Sequence, residues 1–298
     1  MKIVATLDEL LEPDSQVELL ATGYEFTEGP VWVPDGSLLF SDIPRSEIHR
    51  WTEARGAELV AGGNRKGNGM TTDRSGQLLV CEHASSSLRL GVFPEERAIL
   101  ADHWGGAELN SPNDVVVTSD GWTYFTDPRF GRTLPTVGVV RQVPQSASRV
   151  YRLFPATGEM EALDAEFEEP NGLCFSPDER YLYVGDTPRA NIRRLELAEG
   201  RVIADEVFIE HVSDSPRDDD NYIDGMKVDE LGNLYFAGPR GIWVASPSGH
   251  LLGEIVVPEQ VANLNWGDAD YRSLYITAVH SLYRVRMRVA GVKPGWLS

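Results

Sequence analysis

Apolar and polar residues alternate in short bursts along the whole chain, and the bursts share one layout. Six segments carry it: "EGPVWVPDGSLLFSDI" from Glu28, "NGMTTDRSGQLLVCEH" from Asn68, "NDVVVTSDGWTYFTDP" from Asn113, "NGLCFSPDERYLYVGDT" from Asn171, "DGMKVDELGNLYFAGP" from Asp224 and "NWGDADYRSLYITAV" from Asn265. Their starts lie 40, 45, 58, 53 and 41 residues apart. In each, a polar residue, usually followed by Gly, leads into an alternating apolar strand. A turn rich in Asp and Gly comes next, then a second strand of β-branched and aromatic residues. A third apolar run follows: "IHRW" at 48–51, "LRL" at 88–90, "VYRL" at 150–153, "IRRL" at 192–195, "IWVA" at 242–245 and "LYRV" at 282–285. No run has a convincing helical period.

A repeat of this length, with three or four antiparallel strands per unit, is the pattern of propeller blades. The expectation is an all-β chain forming a single six-bladed β-propeller domain over residues 1–298. Two stacked sandwiches are the alternative, but the repeat does not change character between the halves. Blade 1 starts only near Tyr24, and little chain follows the third run of blade 6. N-terminal residues such as "KIVATL" at 2–7 are therefore expected to supply the outer strand of the last blade and close the ring, which removes the exposed edges.

The innermost strand of a blade runs along the central channel, so equivalent positions from all blades fall on one ring. The leading residues Glu28, Asn68, Asn113, Asn171, Asp224 and Asn265 are predicted to form it, and all carry a side-chain oxygen. Asn and Asp also start strands because they suit turn geometry and bond to nearby backbone. Six polar residues at one register, two of them carboxylates, ask for more. Carboxylates crowded near an axis repel, and a cation relieves the repulsion. An oxygen-only set suits a hard divalent ion (Ca²⁺, Mg²⁺ or Mn²⁺) rather than a structural zinc. Three or four protein ligands leave positions open for water and substrate, which is catalytic in form.

A second set falls about fourteen residues later: Asp42, Glu82, Asp127, Asp186, Gly238 and Ala278. These end the second strands and are expected to cap turns or bind neighbouring backbone. Asp127 stands apart because it opens the long insertion "PRFGRTLPTVGVVRQVPQSAS" at 128–148. Long loops on a rigid ring tend to carry specificity, so Arg129, Phe130 and Arg132 are candidates for the pocket mouth, against a plain solvated loop. His83 and His103 are candidates for the channel entrance, against the commoner role of a hydrogen-bonded structural residue. The acidic stretch "SPRDDDNYID" at 215–224 reads as a solvated loop, against the alternative that Asp220 or Asn221 supports the site residues from behind.

Charge and cysteines narrow the partners. A net charge of −19, from 46 acidic against 27 basic residues, with no basic stripe, argues against nucleic acid. The N-terminal apolar run is too short for a secretory signal and no run is of membrane-spanning length. A soluble cytoplasmic protein with no membrane partner is expected. Cys81 and Cys174 have neither metal-ligand nor redox spacing and read as buried thiols. No G-x-S-x-G elbow, P-loop, dinucleotide fingerprint or H-E-x-x-H occurs.

The "EGP" at Glu28, "SPND…DGWTYFTDP" around Asn113, "EPNGLCFSPD" around Asn171 and "DGM" at Asp224 resemble the SMP-30/gluconolactonase family of six-bladed propellers. The resemblance covers nearly the whole chain in order. It implies that Glu28, Asn171 and Asp224 ligate a divalent metal, with Asn113 facing it directly or through water and substrate. It implies Ca²⁺ first, with Mg²⁺, Mn²⁺ or Zn²⁺ as alternatives, and Asp224 as the base that takes a proton from water. Asn113 would position the substrate; Asn68, Asp127 and Arg129 are further substrate candidates. The expected activity is opening of a sugar-derived lactone, a small-molecule substrate. The competing readings are a phosphorus-ester or aryl-ester hydrolase on the same ring, and a non-catalytic binding propeller with a structural cation.

Overall fold

Alternation of period two, interrupted by turn residues every few positions, can be satisfied only by short antiparallel strands that bury one or both faces. The computed structural model, which describes residue 4 and residues 6–91, 98–210 and 222–297, arranges them as six four-stranded antiparallel sheets. Blade 1 runs through Thr27–Val33, Ser37–Asp42, Glu47–Thr52 and Gly56–Gly62, and blade 2 through Gly67–Thr72, Leu78–Glu82, Ser87–Leu90 and Ala98–Ala101. Blade 3 uses Val115–Val117, Thr123–Asp127, Arg149–Phe154 and Glu159–Ala162; blade 4 uses Pro170–Phe175, Tyr181–Asp186, Asn191–Ala198 and Arg201–Ile209. Blade 5 consists of Met226–Val228, Leu234–Gly238, Gly241–Ala245 and Leu251–Val256. The first strand of each blade touches the first strands of its neighbours around the axis. The fold is a six-bladed β-propeller.

Blade 6 takes three strands from the end of the chain, Val261–Gly267, Ser273–Ala278 and Ser281–Arg286, and its outer strand from the N-terminal region. That outer strand is Glu18–Thr22, in place of the "KIVATL" run expected for it, of which residues 2, 3 and 5 lie outside the described residues. It pairs Glu18 with Arg284, Leu19 with Tyr283 and Thr22 with Ser281, and Glu18 also forms an ion pair with Arg284 at 2.8 Å. The reason is connectivity: only residues 23–26 separate Thr22 from the inner strand of blade 1, so a strand here delivers the chain directly to the next blade. Leu7–Glu9 instead forms a 3₁₀ turn, and Leu7 packs beside Gly253 of blade 5.

The apolar core lies between adjacent blades. Val31, Leu39 and Ile48 of blade 1 meet Met70, Leu78 and Val80 of blade 2, and Tyr124 and Val150 of blade 3 meet Leu173, Leu182 and Leu195 of blade 4. At the closing seam Trp32 stacks on Tyr275 at 5.7 Å. Both cysteines are buried free thiols. No helix among the described residues is long and apolar enough to cross a membrane.

At the ends of the second strands of blades 1, 3 and 4 an Asp shows one shared role, while Glu82 of blade 2 instead accepts from Ser85 Oγ and pairs with Arg89. Asp42 accepts hydrogen bonds from the backbone N–H groups of Glu25 and Phe26 at 3.1 and 3.2 Å. Asp127 does the same for Asn110 and Ser111 at 2.9 and 2.7 Å, and Asp186 for Glu168 and Glu169 at 2.9 and 3.0 Å. Each clamps two consecutive residues that lead toward the inner strand of its own blade, pairing their backbone N–H groups.

Candidate active site

Strand register places five of the six predicted ring residues at one level. Three residues beyond the ring position, Val31, Thr71, Val116, Cys174 and Lys227 pair with Leu39, Leu79, Tyr124, Tyr183 and Tyr235 respectively. Each partner lies three residues before the end-of-strand set that begins with Asp42. This puts Glu28, Asn68, Asn113, Asn171 and Asp224 on the ring. In blade 6, however, Asn265 pairs with Tyr275 and Val261 with Ala278. Asn265 therefore belongs to the layer three residues deeper, and the ring position is Ala262. The hairpin of blade 6 is longer than the others, and the second Asn in "NLNWG" displaces the register read from the repeat. The ring has five polar members and one methyl group.

Glycine follows the ring residue in blades 1, 2, 4 and 5 because the next blade's backbone passes against it. A Cβ on Gly29, which also has φ +52°, would lie 2.1 Å from the Asn68 carbonyl oxygen, and one on Gly172 would lie 2.2 Å from that of Asp224. Blades 3 and 6 carry Asp114 and Asn263 there instead. Both are buried, and both reach the site. Asn263 Nδ2 donates to Glu28 Oε2 at 2.9 Å, where the Gly29 N–H donates too. Asp114 adds a third carboxylate, which repels both Glu28 and Asp224. Sequence reasoning missed these two residues; the signal was a polar side chain standing where the other units need Gly.

The electrostatics follow from this crowding. Burial, then Asp114, pushes the Glu28 carboxyl from its ordinary 4.5 up to about 7. Asp224 is raised well above its ordinary value by burial, then by Glu28 and Asp114, against donors from the Asn171 side chain and the Gly225 N–H. Glu28 is 2% exposed, whereas Asp224 keeps partial access to solvent although protein surrounds it. Lys227 is the cation whose charge favours ionised Glu28.

Several side-chain oxygens here are buried without a hydrogen-bond partner: Asn68 Oδ1, Asp114 Oδ2 and Asn171 Oδ1. In Asn171 the amide nitrogen is committed to Thr187 Oγ1 at 3.0 Å, and Thr187 donates onward to the Ile223 carbonyl at 2.7 Å. The oxygen is left unpaired by construction. Three mutually repelling carboxylates and the unpaired Asn171 oxygen, with no thiolate or imidazole nitrogen among the ring residues, fit a hard divalent cation. Asp42, Glu47 and His49 also cluster, but the Asp42 oxygens are taken by two backbone donors with Arg45 at 3.6 Å, so that group fits a cation poorly.

The remaining candidates separate. Asn113 lies on the ring, 5% exposed. Asp127 is fully buried with both oxygens occupied, which makes it a backbone clamp and takes it out of the substrate set. Arg129 is tied to Glu169, its Nε 2.6 Å from Oε1. Arg132 is buried rather than at the mouth: it donates to the carbonyls of Asn110, Leu109 and Gln142 and to Glu108. The insertion thus has a framework of its own, including the helical turn Phe130–Thr133. His103 is exposed beside Asp102, and Asp220 and Asn221 lie outside the described residues. At the other end of the channel, the layer of Val31, Thr71, Val116, Cys174, Lys227 and Asn265 lines a cavity of about 380 Å³.

The family profile described as the SMP-30/gluconolactonase/LRE-like region matches residues 26–280. The chain belongs to this family. Within it, a gluconolactonase of Zymomonas mobilis is 30% identical, over 97% of this chain and 86% of its own. A 6-deoxy-6-sulfogluconolactonase of Pseudomonas putida is 27% identical over 84% and 82% of the two chains. The solved structure of a Xanthomonas campestris gluconolactonase superposes with a TM-score of 0.85 at 29% identity, covering 95% of this SMP-30-family chain and 91% of that one.

Proposed function

We propose that the protein is a metal-dependent lactonase that opens a sugar-derived lactone to its free acid. The observation that carries this reading is the gathering of the Glu28, Asp224 and Asp114 carboxylates, which repel one another, around the unpaired oxygen of Asn171. The gluconolactonases among its relatives support the substrate class. Glu28, Asn171 and Asp224 would hold the divalent ion, Ca²⁺ foremost, with Asn113 beside it. When bound, such an ion polarises a carbonyl and favours charge on its oxygen.

The chain's own residues supply the rest. Asp224 accepts the proton of the attacking water, a task for an ionised carboxylate with partial solvent access, and a cation held beside it favours that ionised form. The water oxygen bonds to the lactone carbon, the ring C–O bond breaks, and Asp224 returns the proton to the departing ring oxygen. The aldonic acid then ionises, so turnover releases acid. Asn171 and the Gly225 N–H hold the Asp224 carboxylate in place, and Asn263 and the Gly29 N–H fix Glu28 through Oε2. Asn113 and Asn68 offer amide groups to the hydroxyls of the lactone.

The test is acid release from a panel of aldonolactones by chelator-treated protein, with and without added Ca²⁺, Mg²⁺, Mn²⁺ or Zn²⁺, against the spontaneous rate. Restored acid release supports the assignment and ranks the sugars. Folded, metal-binding protein without turnover of any lactone refutes it.

A further inference from the structure

His83 follows the second strand of blade 2 and is 1% exposed. Its Nδ1 lies 3.0 Å from the carbonyl oxygen of Val137, and its Nε2 lies 3.2 Å from Nδ2 of Asn68 on the ring. A carbonyl oxygen can only accept and an amide nitrogen can only donate. Nδ1 must therefore carry the proton and Nε2 must be bare. Burial pushes the imidazole down to about 4, so the ring is neutral in the neutral range. With its nitrogen committed to His83, Asn68 is left with an Oδ1 that is buried and has no partner.

The insertion at 128–148 holds the other side of this chain. Val137 sits between two backbone hydrogen bonds of the insertion, Gly138 N–H to Leu134 O and Val139 N–H to Gly131 O, each 2.9 Å. Gly131 packs so closely that a Cβ there would come within 2.6 Å of His83 Cβ. Arg141 Nη2 donates to the His83 carbonyl at 2.9 Å and to Ser86 Oγ at 2.6 Å. The insertion thus grips both the backbone and the imidazole of His83.

The geometry points to His83 as a positioning residue: in its Nδ1–H form it fixes the Asn68 amide so that Oδ1 serves as an acceptor for a lactone hydroxyl, under control of the insertion. This rests on the lactonase reading and deepens it, because it names a determinant of selectivity for hydroxylated lactones. His83 itself touches no substrate.

Two measurements decide it. In protein labelled with ¹⁵N-histidine, long-range ¹H–¹⁵N correlation should show His83, assigned by its loss in His83→Gln, as the Nδ1–H form near neutral pH. An Nε2–H form would overturn the inference, since Asn68 would then have to turn Oδ1 toward the ring. In kinetics, His83→Leu and Asn68→Ala should each raise KM for a polyhydroxylated lactone by about tenfold, the weight of one neutral hydrogen bond. KM for a lactone of the same ring size without hydroxyls should stay within about twofold. His83→Gln, whose amide oxygen replaces Nε2 as acceptor, should recover most of the loss. Equal losses on both lactones would mean a merely structural histidine and sink the inference. If the wild type opens neither lactone, the lactonase reading fails, and the tautomer still decides whether the hydrogen-bond chain exists.

Discussion

Replacing Glu28 by Gln should make the metal-free protein more stable at alkaline pH while weakening its response to metal. In the absence of metal the Glu28 carboxyl is held at about 7 against an ordinary 4.5, so the native state binds this proton more tightly than the unfolded chain does. The stability linked to it is fully present below the ordinary value and is lost as pH rises through about 7. At about 1.4 kcal/mol per pH unit the loss is on the order of 3 kcal/mol, or roughly 5 °C in Tm for a chain of this size. Gln is isosteric and its amide oxygen still accepts from Gly29 and Asn263, while its amide nitrogen becomes a donor among carboxylates. The assay is thermal and urea unfolding of chelator-treated wild type and Glu28→Gln at about pH 5 and about pH 8, each repeated with Ca²⁺. The variant should lose the wild type's downward slope, exceed it in stability at the higher pH without metal, and gain less from Ca²⁺. A variant less stable than metal-free wild type at the higher pH would refute the electrostatic account of the ring.

Three further outcomes follow from the same geometry. Asp224→Asn keeps the shape but cannot accept a proton, so kcat on the best lactone should fall by about a thousandfold while the protein still melts cooperatively. Lys227→Met removes a positive charge from the layer beneath the ring, close enough to act on Glu28 and so to repel an ion held there; titration calorimetry should show divalent ions binding severalfold more tightly, and weaker binding would contradict the placement. Asp127→Asn puts an amide nitrogen against backbone donors at residues 110–111 and should cost about 2 kcal/mol in denaturant unfolding, with kcat per folded molecule retained. Asp42→Asn is its counterpart in blade 1.

Most of the fold could be read from the chain because the repeat is physical: every blade needs the same alternation, the same turn and the same polar residue at the head of its inner strand. Glu28, Asn68, Asn113, Asn171 and Asp224 were visible for that reason. Asn265 misled because blade 6 has a longer hairpin and a second Asn nearby, and a repeat read by eye follows residue type where the backbone follows register. Asp114 and Asn263 were hidden by the opposite effect: they break the pattern where glycine keeps it, and only the close approach of the next blade explains why a side chain there must enter the site. Arg132 looked like a mouth residue because nothing in the insertion's sequence announces the carbonyls of Asn110, Leu109 and Gln142 that gather around it. The closing strand was expected near the N-terminus, but its location at Glu18–Thr22 is set by the short link to blade 1, a constraint of connection rather than composition.

That closing strand also orders events in time. Ser281 and Thr22, joined by a 3.0 Å hydrogen bond, are 259 residues apart in the chain, so the last sheet cannot be completed until the chain has been made through Arg286. During synthesis, Glu18–Thr22 must wait unpaired while five sheets assemble, and the outer edge of the sixth stands open until the two meet. Contacts this distant in sequence slow folding and leave an edge exposed to other chains. Crowded expression therefore endangers this seam first, and a bulky N-terminal fusion would delay its closure most.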